Sequence, residues 1–455
     1  MKLTEPDRGW SWAVLGASFG IMVVNGCLGQ GIGVVHLALL ESFNESNSKT
    51  AFAGSLFAAT QSCGGVLAGF ILKKYSCRVA TAVGSLIMTV GFTCCFFLNT
   101  LDSVILFYGG IVGAGAGLTY TTAVVVLGFN FEKKLNIAGG IAVSGVGMGV
   151  MLSPVIQETR EMFGNRGLFF ILAGFSLHVG LFGALYFPSR LEKRKTVVVR
   201  SLENLNRTSE EIYGIDLGTN DVIKSPDVTK ELVPSSGKIT KQESMISQIY
   251  NVCTNVPFAT LCLCLFVANF GIYIMFLNLP NYAVLNGGTA IQGSVLISVS
   301  GICSMIARVL TGLTTNNDEV DGALMLFGTL SVLGISNICL PLYGHSYGGQ
   351  IVYSVFLGLY SGVSFPLLNG LSIRLVGLRY LATAVSIQMF SVGLGILSGP
   401  PCGGLYLDSG GTYDTCFLMT GFIILGGAMF SMTSEYFRKR RRLPVETSPD
   451  RDALI

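Results

Sequence analysis

One arginine inside an apolar stretch is the residue that points most directly to chemistry. Arg308 is the only charged residue in positions 291–313. An ionisable side chain in such a stretch is costly and usually faces a cavity or a partner. A guanidinium has a planar fork of donors that binds a carboxylate bidentately. The residues alone leave open whether Arg308 binds an anion or extends to the polar membrane surface.

Few other residues in the apolar stretches suggest chemistry. No Asp or Glu lies deep in any stretch, although carboxylates are the usual proton acceptors there. His178 could titrate near neutral pH, but a hydrogen-bonded packing role is expected, and His36 is expected at the membrane–water interface. Gln30 and Asn278 are the favoured cavity-lining amides, because each lies in the first apolar stretch of its half of the chain.

Metal, nucleotide and cofactor sites are not predicted. The twelve cysteines are scattered without zinc-ligand spacing. Strings such as GAGAG lack the preceding strand and the downstream acid that a phosphate-binding loop requires. Tyr120 and Tyr273 are expected to contact lipid or other helices rather than line a cavity.

The composition is typical of a membrane protein. Hydrophobic residues make up 51% of the 455 residues and charged residues 12%, whereas soluble proteins carry about 25% charged residues. The net charge of +3 gives no basic surface for nucleic acid, so no nucleic-acid partner is predicted. The expected surroundings are membrane lipid.

Twelve apolar runs are long enough to cross about 30 Å of hydrocarbon, which predicts an all-α membrane protein with twelve transmembrane helices. They lie near 10–36, 51–72, 80–98, 104–127, 138–157, 167–187, 257–280, 291–313, 323–342, 349–373, 382–404 and 415–433. Residues 1–187 are then an N-terminal six-helix half and 256–436 a C-terminal half. Polar residues 188–255 are predicted to form a largely disordered cytoplasmic linker, and 437–455 a cytoplasmic tail.

Basic residues at the ends of the runs predict the orientation. They cluster after the second, fourth, sixth, tenth and twelfth runs, at positions 73–78, 133–134, 190–195, 374–379 and 438–442. Twelve spans place all of these on one side, so the positive-inside rule predicts that both termini are cytoplasmic. Asn44, in an Asn-Glu-Ser sequon of the first outer loop, is a candidate glycosylation site.

An internal repeat relates the two halves. A shift of 246 positions superposes the fifth run on the eleventh, and the pairs that coincide are Lys133 with Arg379, Ala138 with Ala384, Gly147 with Gly393, Gly149 with Gly395, and Pro154 with Pro400. Two six-helix halves related in this way are the plan of the major facilitator fold.

Two motifs resemble the signatures of the monocarboxylate transporter family, solute carrier family 16. Residues 129–145, FNFEKKLNIAGGIAVSG, match the signature that opens the fifth helix, through Phe131, Lys133, Lys134, Ala138, Gly140, Ala142 and Gly145. The opening DRGWSW is similar to the other signature through Asp7, Gly9, Trp10 and Trp12. The SGPP string that contains Pro400 and the long central linker are similar too.

The resemblance implies a transporter of a small carboxylate-bearing organic solute in the plasma membrane. Arg308 matches the arginine of proton-linked members, where it would hold the carboxylate. Gln30 stands where those members have lysine, and Ser304 where they have aspartate. Proton coupling is therefore doubtful, and Gln30, Asn278 and Ser304 join Arg308 as candidate substrate contacts. Lys133 and Lys134 are expected to stabilise the cytoplasmic gate.

Alternative functions remain open from the sequence. A proton-linked lactate or pyruvate symporter is one, and a non-transporting receptor on a transporter scaffold is another. No triad, metal cluster or paired carboxylates lie at membrane depth, so an enzyme is not predicted. As with some relatives, a single-span immunoglobulin-type glycoprotein is a possible accessory partner.

Overall fold

The computed structural model describes residues 7–30, 32–43, 45–98, 100–131, 134–187, 245–314, 321–377 and 380–441. Every regular element in these ranges is a helix. The fold class predicted from the sequence, an all-α membrane protein, is confirmed.

The helices of the N-terminal half are α1 (Trp10–Gln30), α2 (Ile32–Phe43), α3 (Asn47–Lys74), α4 (Cys77–Phe97), α5 (Leu101–Val104), a π-helical stretch (Ile105–Val112), α6 (Gly113–Asn130), α7 (Leu135–Met151) and α8 (Ser153–Ala184). Those that follow the linker are α9 (Met245–Cys253), α10 (Val256–Leu285), α11 (Ala290–Thr314), α12 (Gly322–Tyr343), α13 (Tyr347–Gly362), α14 (Ser364–Val376), α15 (Leu381–Asp408) and α16 (Tyr413–Arg441).

Eleven helical stretches among the described residues are long and apolar enough to cross a membrane. One of them, Ile137–Ala184, has 48 residues and would measure about 72 Å at 1.5 Å per residue, more than twice the hydrocarbon thickness. It is broken inside α8 at Gly164, whose φ of 68° is left-handed. Division at Gly164 gives the twelve spans predicted from the sequence.

Local sequence explains where several helices begin. The Ser46 hydroxyl accepts a hydrogen bond from the Lys49 amide at the start of α3, and the Ser346 hydroxyl does the same for Gly349 at the start of α13. The Asp321 carboxylate caps α12 through the Ala323 amide. Such caps satisfy amides that have no partner within their own helix.

The two halves meet along two equivalent helix pairs. Helix α3 packs against α15, and α7 packs against α11. These pairs join span two to span eleven and span five to span eight. Span eleven is the fifth span of the C-terminal half and span eight is its second. Each pair therefore joins the second span of one half to the fifth span of the other. Near one end, α2 also packs against α10.

The glycine pairs of the predicted repeat occupy equivalent surroundings. A Cβ at Gly147 would lie 2.6 Å from the Gly301 carbonyl oxygen of the other half, and one at Gly393 would lie 3.3 Å from the Ala59 carbonyl oxygen, also of the other half. Gly149 approaches the first span of its half and Gly395 the first span of its own. The side chains would obstruct these close helix contacts, which explains why glycine stands there.

Helix α9 lies inside the segment assigned to a disordered linker, so that prediction is wrong for its last residues. Met245, Ile246, Ile249 and Val252 recur at helical spacing. Val252 is buried in a cluster with Phe258 and Ala384, so this residue anchors α9 to the C-terminal half. The rest of the linker, 188–244, lies outside the described residues.

Candidate functional site

Arg308 lies in the interior of the bundle. It is on α11, six residues before that helix ends at Thr314, and its exposed fraction is 2%. A side chain that snorkelled to the membrane surface would keep its charged head in water. The burial of Arg308 therefore disagrees with the snorkelling alternative.

The guanidinium has no carboxylate partner among the described residues. Its Nε donates a hydrogen bond of 3.2 Å to the Ser304 hydroxyl, one turn earlier on α11. Its central carbon lies 5.5 Å from the centre of the Phe365 ring, within cation–π range. A buried charge compensated this weakly is costly, and an anion that reached it would relieve that cost.

Tyrosines from both halves lie near the guanidinium. Arg308 interacts electrostatically with Tyr120 of α6 and with Tyr273 of α10. Both were expected at lipid or helix contacts, and no pattern in the sequence indicates that α6 and α10 approach α11 at this level. Tyr120 brings the N-terminal half to the charge of the C-terminal half.

A recess in the C-terminal half adjoins Arg308 through the Phe365 ring. Its wall is mostly apolar with three polar side chains, and consists of Asn269, Ile272, Tyr273, Phe276, Ser361, Ser364 and Phe365. The Ser364 hydroxyl is buried and has no hydrogen-bond partner in the described part of the chain. The recess thus combines apolar contact area with a buried hydroxyl in its wall that lacks a partner in the described part of the chain.

The N-terminal half contributes a neutral polar network. The Asn25 side-chain amide donates to the Thr119 hydroxyl at 3.2 Å and to the Ile21 carbonyl oxygen at 3.0 Å. Gln61 Nε2 donates to Asn25 Oδ1 at 3.3 Å. Three helices, α1, α3 and α6, are joined by these bonds, and Thr119 is next to Tyr120 in the chain.

The predicted substrate contacts are only partly brought together. Ser304 touches Arg308 directly. Asn278 is buried on α10, and its amide donates to the Ile274 carbonyl oxygen of its own helix at 2.9 Å. Gln30 is the last residue of α1, and its side chain lies outside what the structure describes.

The DRGWSW motif holds the chain before α1 to neighbouring helix ends. Asp7 Oδ1 accepts from the Lys134 backbone amide at 3.2 Å, and Lys134 Nζ lies 5.6 Å above the Trp12 ring. Trp10 Nε1 donates to the Leu185 carbonyl oxygen at 3.0 Å. Trp10 and Trp12 are 40% and 45% exposed, as expected of rings at a membrane interface. All these partners belong to the N-terminal half.

The remaining signature positions serve helix packing or are not described. A Cβ at Gly145 would lie 2.6 Å from the Phe19 carbonyl oxygen, so α7 packs closely on α1. Pro154 occupies the first turn of α8, where a missing N–H costs no helix bond, and Pro400 lies within α15. Lys133 and Arg379 lie outside the described residues, as does Asn44.

The surroundings of two histidines differ from those predicted. His178 is exposed on the outside of the bundle, where its Nδ1 lies 3.2 Å from the Gly174 carbonyl oxygen. His36, expected near the outer end of the first span, is only 2% exposed, so it packs inside the protein rather than against the surroundings. The first span continues through α2, and α10 of the C-terminal half packs against α2.

Paired apolar helical halves around a buried arginine define a multi-pass membrane protein of the transporter class. The family model of the Major Facilitator Superfamily matches residues 14–369 and 261–453. Because these matches cover most of the sequence, the chain belongs to the major facilitator superfamily and is a transporter of that type.

Several relatives are similar over nearly the full chain. Monocarboxylate transporter 12 of Mus musculus is 25% identical over 445 residues, covering 97% of this chain and 89% of the relative. Monocarboxylate transporter 3 of Gallus gallus is 25% identical, covering 98% and 82%. These similarities confirm the resemblance to the monocarboxylate transporter family.

A solved structure has the same fold. A POT family transporter, crystallised with a thioalcohol-conjugated peptide, aligns with a TM-score of 0.65 and 15% identity, covering 93% of this chain and 96% of that one.

Proposed function

We propose that this protein moves a small monocarboxylate, or a related carboxylate-bearing organic solute, across the plasma membrane by alternating access. The names of its relatives support a monocarboxylate. The inter-half glycine contacts support rocking of one half against the other around a central site.

The observation that carries the proposal is the buried, unpaired charge of Arg308. Its partners among the described residues are one hydroxyl and one aromatic face, neither of which neutralises a cation. A carboxylate fits the remaining guanidinium donors bidentately. The substrate anion would thus complete an ion pair that the empty protein lacks.

The recess beside Phe365 would hold the rest of the solute. Tyr273, Phe276 and Phe365 offer apolar contact, and the Ser364 hydroxyl offers one hydrogen bond. Ser304 would orient Arg308, with Gln30 and Asn278 contributing from the first span of each half. The network of Asn25, Gln61 and Thr119 would form the facing wall.

Transport without obligatory proton coupling is part of the proposal. Ser304, a hydroxyl rather than a carboxylate, lies against Arg308, and a serine hydroxyl does not ionise near neutral pH, so it cannot carry a coupled proton. Uptake should therefore change little when a pH gradient is imposed. A gradient that drives accumulation would favour the proton-linked lactate or pyruvate symporter instead.

The proposed orientation has both termini in the cytoplasm. The end of the bundle that carries Lys134, Arg374 and Arg438 is called the basic end below, and the positive-inside rule would place it in the cytoplasm. The end that carries Glu41, Asp102, Asp408 and Asp414, called the acidic end, would then be outside. An accessory single-span glycoprotein is compatible with this arrangement.

The test is uptake of a panel of radiolabelled monocarboxylates and amino acids into proteoliposomes. For any solute carried by the unaltered protein, Arg308→Gln should lower uptake efficiency by about 100-fold, because two charge-assisted hydrogen bonds of about 1.5 kcal/mol each are lost. Arg308→Lys keeps the charge but loses the planar fork and should cost about tenfold.

Arg78→Gln is the matched control. It also removes a guanidinium that lies near an aromatic ring, 5.6 Å from the centre of Phe187. Arg78 belongs to the N-terminal half, whereas the recess lies in the C-terminal half. Uptake should survive that change. Full uptake by Arg308→Gln protein that inserts normally would contradict the proposal.

A further inference from the structure

We infer that Asp408 is the latch that closes the acidic end of the bundle across the two halves, and that His36, buried beside it, opposes the latch. The inference goes beyond solute binding. It rests on the proposed alternating access only for its effect on transport, and the latch itself can be measured without any solute.

Asp408 of the C-terminal half binds the beginning of α3 in the N-terminal half. Its Oδ1 accepts from the Asn47 backbone amide at 2.9 Å and from Asn47 Nδ2 at 2.8 Å. Its Oδ2 accepts from the Ser48 amide at 3.0 Å. One carboxylate therefore makes three charge-assisted hydrogen bonds between halves, and each is stronger than a neutral bond.

The location of these donors adds to the attraction. Asn47 and Ser48 are the first residues of α3, where amides lack partners and the helix dipole is positive. Ser46 satisfies the Lys49 amide from within the N-terminal half. The other half supplies the remaining cap through Asp408, so separation of the halves at this end would leave the helix start uncapped by protein.

Close backbone contacts surround the latch. A Cβ at Gly404, one turn before Asp408, would lie 2.7 Å from Ser48 Cα. On the neighbouring pair α2 and α10, a Cβ at Gly33 would lie 2.4 Å from the Phe276 carbonyl oxygen. The halves are thus in contact at two places on the acidic end, and the three hydrogen bonds of Asp408 lie at one of them.

His36 lies in the same contact without satisfying its polar atoms. The imidazole is close to Asp408 and lies against the Thr50 backbone, which offers it only a weak hydrogen bond, and neither ring nitrogen has a partner at normal hydrogen-bond geometry among the described residues. A buried polar group without a partner destabilises the state that buries it. Opening of the acidic end would admit water to both nitrogens, so His36 favours the open state.

The latch can be tested by hydrogen–deuterium exchange in nanodiscs, without any solute. Asp408→Asn removes the charge and should raise exchange about tenfold in peptides that cover 45–52 and also in those that cover α2, because the two contacts open together. His36→Phe keeps an aromatic ring, removes both unpaired nitrogens and should slow exchange in the same peptides about threefold.

Asp414→Asn is the matched control. Asp414 lies at the same end but its described contacts, with Tyr282 and His345, stay in the C-terminal half, so the peptides 45–52 and α2 should keep their exchange rates. If Asp408→Asn protein is not recovered folded, Asn47→Ala removes a single bond to Asp408 and should raise exchange about twofold.

Faster exchange restricted to 45–52, with α2 unchanged, would show that Asp408 only caps a helix and would overturn the inference. So would equal effects of Asp408→Asn and Asp414→Asn. Faster exchange in His36→Phe would contradict the role given to His36. Full solute uptake by Arg308→Gln, which would contradict the proposed binding site, would leave all these exchange outcomes unaffected, so the latch and the binding site can fail separately.

Discussion

The two ends of the bundle are held in different ways. At the acidic end, Asp408 of one half hydrogen-bonds the first residues of α3 in the other. At the basic end, the charged contacts described join groups of the same half: Asp7 with Lys134 in the N-terminal half, and Asp321 with Arg374 and Arg438 in the C-terminal half.

The difference bears on how the halves rock. Opening the acidic end breaks charge-assisted hydrogen bonds, whereas opening the basic end leaves each half's own charged contacts intact. Contact between halves toward the basic end includes the approach of Gly140 to Gly312, where a Cβ would have its neighbour at ordinary van der Waals distance, 3.9 Å. Among the contacts of the described residues, the charge-assisted hydrogen bonds that join the two halves therefore lie at the acidic end.

The largest expected effect comes from adding one methyl group at each end. Gly404→Ala places a Cβ 2.7 Å from Ser48 Cα, and such overpacking costs about 2 kcal/mol, so exchange in peptides covering 45–52 should rise about thirtyfold. The Cβ of Gly140→Ala would have its nearest neighbour, Gly312 Cα, at 3.9 Å, and the change should leave exchange in α7 and α11 unchanged. Both variants gain the same helix propensity, so the difference between their exchange rates reports only the close contact of the new methyl group. Equal behaviour of the two variants would remove the contrast between the ends.

A smaller effect is expected from Asp321→Asn at the basic end. Asparagine still caps α12, but the ion pairs with Arg374 at 3.8 Å and Arg438 at 3.9 Å lose their charge. These pairs are partly exposed, so the free energy of unfolding should fall by only about 1 kcal/mol, measured as a lower melting temperature. Exchange should rise in peptides of α14 and α16 and stay unchanged in α1 and α7. Faster exchange in α1 would mean that these charges do join the halves.

The smallest effect concerns Lys134 and Trp12. Trp10 and Trp12 are the only tryptophans in the chain, so a Trp10→Phe background reports on Trp12 alone. Lys134→Gln removes a cation–π contact of about 0.5 kcal/mol and should alter Trp12 emission. Asp408→Asn in that background should leave Trp12 emission unchanged, because Asp408 lies at the acidic end and Trp12 at the basic end. A Trp12 signal that followed Asp408→Asn would show that the two ends are coupled.

Much of the fold could be predicted from sequence because a membrane imposes a simple rule. Each apolar run of spanning length must form a helix that satisfies its own backbone, which gave twelve spans and two halves. The repeat that pairs Gly147 with Gly393 and Gly149 with Gly395 predicted two related halves, and these glycines do lie at equivalent helix contacts. Helix α9 was missed, since a nine-residue amphipathic helix among polar residues is too short to stand out.

The candidate site was predicted only in part. Arg308 and Ser304 are four residues apart, and helical spacing puts them on one face, so their contact follows from the chain. Phe365 contacts Arg308 from another helix, and Tyr120 and Tyr273 lie near it on two more. Nothing in a single sequence specifies which helices pack side by side.

The sequence by itself determined the class of protein, the number of spans and the presence of a charge, Arg308, inside an apolar run, because hydropathy and charge are properties of each segment alone. Only the tertiary structure decided that Arg308 is buried, with no carboxylate partner among the described residues, and that Asp408 reaches across to Asn47 and Ser48. Asp408 is 361 positions from Asn47 and 360 from Ser48, and over such a separation only the packing of whole helices determines which residues meet.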